Sequence, residues 1–154
     1  MIRVQVSAAF CDLCQCHADS HSLSSVATLL AFPLLGISPV PVTREYLIVS
    51  PFVPSYTVHN EELGSFTVNV TNFDPRTLAE NIPDGARAYV ESVSINGKKQ
   101  SSRCRILFEE LLPGGGKHTK VELTMTSDAD SVNSCGASDK DLPSSLSTGG
   151  FDSI

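Results

Sequence analysis

The sequence has no tryptophan, and aromatic residues make up only 6% of its 154 positions. Its core must therefore be built mainly from aliphatic side chains. It also lacks any cationic stripe: 11 Lys and Arg stand against 17 Asp and Glu, a formal charge of −6. Nucleic-acid phosphates need clustered Lys and Arg, so a nucleic-acid partner is not expected. The longest apolar stretch, Val26–Ile37, is too short to cross a bilayer and contains Pro33, so no membrane partner is expected either. Met1–Phe10 carries Arg3 but no continuous apolar run of the secretory kind, and the compartment stays undecided. What is present fits one modest domain: 41% hydrophobic residues, with nine prolines and ten glycines that favour short strands and turns over long helices.

Five cysteines make an odd set, which argues against a complete disulfide framework. Cys11, Cys14, Cys16, His17 and His21 crowd together and offer ligands that zinc prefers. A second pair to complete the site is missing, and Gln15 stands where haem attachment needs His. Incidental residues in a leader segment are the better reading, and no metal site is assigned. Cys104 and Cys135 stand apart, and spacing alone cannot pair them.

The periodicity predicts a mainly β protein: one short N-terminal helix, then a small antiparallel sheet or sandwich unit, with disordered ends. Residues 1–22 form a leader with no persistent period. Residues 23–37 form the helix, capped by Ser22 or Ser24, interrupted at Pro33 and ended by Gly36. Residues 38–126 form the β unit and residues 127–154 a polar tail. Within the unit, Tyr46–Ser50 and Tyr56–His59 read as strands, and Ser65–Thr71 points Phe66, Val68 and Val70 to one face. Asp74–Arg87 reads as a loop. Ala88–Asn96 sets Tyr89, Val93 and Ile95 together and runs into an Asn96-Gly97 hairpin turn. In Arg103–Leu112 the spacing of Ile106, Leu107, Leu111 and Leu112 suits a helix better than a strand. Val121, Leu123 and Met125 form the inner face of a last strand.

Candidate chemistry is thin. Pro113-Gly114-Gly115-Gly116-Lys117-His118-Thr119 resembles a phosphate loop only superficially. Leu111 replaces its first Gly and His118 its Ser/Thr, so a turn is expected. Glycoside hydrolysis needs two opposed carboxyls. Glu61-Glu62, Glu109-Glu110 and Asp128/Asp130 are adjacent or nearly so, as on a solvated surface. Asn69-Val70-Thr71 is a glycosylation sequon with Asn69 on the outward face, relevant only in the secretory pathway.

Several motifs occur in an order that carries a resemblance. After the helix come Gly36, Pro39, Val40 and Pro41, then Tyr46, Ser50, Pro51 and Phe52; Tyr89–Lys98 follows as YVESVSINGK. Gly115-Gly116 precedes the Val121–Met125 strand, and Leu142–Phe151 closes the set. Over roughly residues 24–151 the chain resembles the C-terminal end of a family 92 glycoside hydrolase, an α-mannosidase, of the fungal type. The resemblance implies a longer protein with an N-terminal β-sandwich and an (α/α)6 barrel. It further implies an inverting, calcium-dependent mechanism on α-1,2-mannosides, with a Glu acid and an Asp-rich base loop. The family's Asp pair aligns with His21 and Ser22, Ser24 and Val26 replace its Gly and Met, and Asp19-Ser20 lies out of register. No catalytic, cofactor or metal residue is therefore assigned to this chain, and calcium belongs to the larger relative. The expectation is a fragment inactive alone, with α-mannoside glycans as substrates of the full-length relative. The alternative is a small non-catalytic interaction or carbohydrate-binding module, for which exposed aromatic platforms are scarce.

Overall fold

Alternating apolar and polar residues can bury one face of a strand only if a second layer covers it. The computed structural model describes residues 2–6 (backbone only), 31–41, 43–132 and 135, and it shows two such layers. The strands are β1 (Ile2–Val6), β2 (Ile37–Pro39), β3 (Glu45–Ile48), β4 (Ser55–Asn60), β5 (Gly64–Thr71), β6 (Tyr89–Ile95), β7 (Lys98–Lys99), β8 (Arg105–Leu107) and β9 (His118–Thr126). Six of them form a sheet in the order β1-β4-β5-β9-β6-β7, and β2-β3-β8 form a second sheet of three.

The inner face of the large sheet carries Tyr56, Phe66, Val68, Val93, Val121 and Leu123. These meet Ile37 and Ile106 of the small sheet together with Leu35, Leu111 and Leu112. Full burial of one such side chain contributes about 1.5–3 kcal/mol, so this shared layer is the main source of stability. The strands expected from alternation are present: Phe66, Val68, Val121, Leu123 and Met125 are all buried. The Asn96-Gly97 turn joins β6 to β7 as expected.

The helical residues 31–34 end at Gly36, whose φ of +83° is open to glycine at little cost. A Cβ there would lie 2.8 Å from Pro51 Cβ, so the turn also depends on a close approach. Expectations for the rest of that helix, for most of the leader and for the end of the tail lie outside the described residues.

Several details depart from the sequence reading. Ile2–Val6, which shows no persistent period, forms the edge strand β1 against β4. β5 and β9 pair in parallel, so the large sheet is mixed and not wholly antiparallel. The long excursion between them, which includes β6 to β8, supplies the crossover that parallel neighbours require. A bulge between Val90 and Ser92 breaks the parity of β6. Tyr89 is consequently exposed, and Val90 packs on the core beside Val93 and Ile95.

Arg103–Leu112 is strand and helix in succession, β8 followed by the single turn Phe108–Leu111. Ile106 faces inward from the strand, Leu111 from the helix, and Leu107 is left exposed. The tail is tethered where it begins. Cys104 and Cys135 form a disulfide, and between them Asp130–Val132 makes a 3-10 turn. The Asp128 carboxylate accepts the backbone N–H groups of Asp130 and Ser131, and Arg103 Nη1 donates to the Ser131 carbonyl at 3.2 Å.

Candidate functional site

Paired carboxyls were the strongest chemical candidates in the sequence; one pair lies exposed in a turn and the other two are engaged in local structure. Glu61 and Glu62 lie exposed in the β4–β5 turn, where Asn60 Oδ1 accepts the backbone N–H of Glu62 at 3.0 Å and of Leu63 at 2.8 Å. Glu109 meets Arg44 Nη1 at 2.6 Å on the surface. A bond from its own backbone N–H, and then Arg44, lower its pKa. Glu110 Oε2 accepts the Leu107 N–H at 2.9 Å and so starts the short helix. Asp128 and Asp130 belong to the tail turn. The Gly114–Lys117 run is a turn whose Lys117 carbonyl accepts the Ser65 N–H at 3.0 Å, not a phosphate cradle. His21, Ser22 and the Cys11–His17 cluster lie outside the described residues.

The sequence reading missed two charged groups. Asp74 is buried and caps the 3-10 turn Pro75–Leu78. It accepts Arg76 Nη2 at 2.7 Å, Arg76 Nε at 3.0 Å and the backbone N–H of Arg87 at 3.2 Å. The Arg76 side chain above all, against the opposing effect of burial, holds the Asp74 carboxyl far below the usual range. The signal was local: an Asp directly before Pro75 is a turn-capping pattern. Glu45 is also buried, and Arg105 Nη1 donates to its Oε1 at 2.7 Å. This pair spans β3 and β8, sixty residues apart, and has no local signal.

Two concavities flank β8 and the short helix. One is an open polar groove of about 400 Å³ lined by Glu45, Gln100, Ser101, Ser102, Arg105 and Glu110. Its donors and acceptors suit hydroxyl groups, but no aromatic face is among them. The other is an apolar hollow of about 190 Å³ among Phe32, Tyr46, Leu63, Phe66 and Phe108. Tyr46 stands 6.4 Å from Phe32 and 6.5 Å from Phe108, ring centre to ring centre. Neither concavity opposes two free carboxyls across a space for substrate.

Calcium demands six or more oxygen ligands in one cage. Among the described residues no three His, Cys, Asp or Glu side chains converge. Glu45, Asp74, Glu109 and Glu122 are each engaged by Arg or Lys. These residues do not fit a calcium cage.

The sequence model of the glycosyl hydrolase family 92 catalytic domain matches residues 19–127. The chain belongs to glycosyl hydrolase family 92. Among solved structures, an inverting family GH92 mannosidase of Bacteroides thetaiotaomicron is similar at 30% identity and a TM-score of 0.53, over 75% of this chain and 14% of that one. A second family GH92 α-mannosidase of that bacterium, 20% identical, shares the fold at a TM-score of 0.56 over 75% of this chain and 14% of its own. It has also been solved in complex with mannoimidazole, where the chain covers 13% of it. The family 92 chain thus spans about a seventh of the solved relatives it matches. No curated protein sequence matches it.

Proposed function

We propose that this chain is the C-terminal end of a calcium-dependent α-1,2-mannosidase of family 92, fungal in type, and that it has no hydrolytic activity alone. The observation that carries the reading is the family match over residues 19–127, combined with concavities that oppose no two free carboxyls among the described residues. The ordered motifs from Gly36 to Phe151 support the C-terminal placement. Hydrolysis with inversion needs an acid on one side of the glycosidic bond and a base positioning water on the other. In this reading both groups, and the calcium ligands, come from the rest of the enzyme, and α-mannoside glycans are its substrates. The β unit then contributes a packed support for the catalytic region.

Hydrolysis of α-1,2-linked mannobiose by the purified chain, with and without calcium, tests this. No turnover is expected in either condition; turnover abolished by a chelator would overturn the proposal. A second reading, a non-catalytic carbohydrate-binding module, draws on the polar groove beside Arg105. It requires saturable mannobiose binding that an Arg105→Ala change weakens.

A further inference from the structure

The outer face of the large sheet has no part in the mannosidase reading. It is polar along its length: Ser55 and Thr57 of β4, Ser65, Thr67, Asn69 and Thr71 of β5, and Lys120, Glu122 and Thr124 of β9, none of them buried. Thr57 and Thr67 share a hydrogen bond at 2.8 Å, and Ser65 Oγ meets His118 Nδ1 at 2.7 Å. No second layer of described residues covers this face.

Asn69 stands within it. Its Oδ1 accepts the Ser55 hydroxyl at 2.8 Å, which orients the amide and leaves Nδ2 with no partner among the described residues. Asn69 is half-buried and not enclosed, like Thr67 beside it on this face. Thr71, two residues on, lies on the same face and is exposed. A second observation comes from across the fold. Cys104 and Cys135 are joined, and a structural disulfide of this kind forms in an oxidising compartment such as the secretory pathway.

We infer that Asn69 is an N-glycosylation site and that its glycan stands on the outer face of the β4-β5-β9 sheet. The donor class is an oligosaccharide carried on a polyprenyl diphosphate. Asn69 Nδ2 forms a bond to the anomeric carbon, the carbon–oxygen bond to the diphosphate breaks, and the diphosphate leaves with the electron pair. The amide gives up one proton, and nothing is oxidised or reduced. Small hydroxylated neighbours leave room beside Asn69, and the glycan keeps this face out of any protein interface. The inference is independent of the catalytic reading of the larger enzyme.

The test is translation of the full chain behind a cleavable signal sequence into microsomes, scoring only the protease-protected population. The wild type should carry one glycan, removable by endoglycosidase. Asn69→Gln and Thr71→Ala should each lose it completely, and Thr71→Ser should retain part of it. Non-reducing gels should show the Cys104–Cys135 bond in all of them. Protected, disulfide-bonded wild type without a glycan would overturn the inference, as would a glycan that persists in Asn69→Gln or Thr71→Ala.

Discussion

Asp74 combines two tasks in one carboxylate, capping the Pro75–Leu78 turn and holding the Arg76 side chain. Its pKa is held below the ordinary value, about 3.9 for an unfolded Asp. The stabilisation is therefore fully present above about pH 4 and is lost as the pH falls from there toward the folded value. Asp74→Asn should lower the thermal midpoint at neutral pH, and the gap from wild type should narrow in acid; thermal unfolding at pH 7 and pH 3 checks both. Gly64 is constrained differently. Its φ is +108°, and a Cβ would collide with the Lys117 carbonyl oxygen and lie 2.9 Å from the Gly116 carbonyl carbon. Because backbone cannot rotate away as a side chain can, Gly64→Ala should cost more than about 1 kcal/mol, read as a lower denaturant midpoint. At this scale the exposure of Glu61 and Glu62 was legible, because adjacent acids repel and seek solvent. The sequence did not show the Glu45–Arg105 pair, whose partners meet only after the small sheet has formed.

Strands with strict alternation were legible: β9 buries every second residue, and β5 buries Phe66 and Val68 while Val70 on the same face is half-buried. The parity of β6 was not, since a bulge leaves no mark in an apolar–polar pattern. Nor was the division of Arg103–Leu112, where a single helical turn leading to the buried Leu111 and Leu112 follows directly on a strand. Two substitutions separate these environments. Leu123→Ala, at a position 1% exposed in β9, should cost about 2–5 kcal/mol. Leu107→Ala, 42% exposed, should change stability by less than about 0.5 kcal/mol. Equal costs in urea unfolding would contradict the strand-then-helix assignment. The Cys104–Cys135 bond is a further property of the elements it ties. For a separation of 31 residues, loop-closure entropy puts its contribution at about 3–4 kcal/mol. Reduction, or Cys104→Ser, should lower the unfolding midpoint accordingly.

For the whole molecule, the mainly β class and the family were legible in the sequence, with a single sheet and a sandwich left open, whereas the parallel β5–β9 pair and the disulfide were not. Both depend on contacts between distant segments that local pattern does not encode. The apolar hollow around Tyr46 and Phe108 lies beside the helical residues 31–34, at the junction of the two sheets. Under the proposal that the chain is one part of a larger mannosidase, this is a natural place for further protein to pack. The size of the polypeptide in its own cells tests that claim most directly, by immunoblotting with antibodies raised against Gly64–Thr71 and His118–Thr126. The account predicts a band several times heavier than 16.5 kDa that copurifies with calcium-dependent mannosidase activity. A single species at 16.5 kDa, separable from that activity, would contradict it.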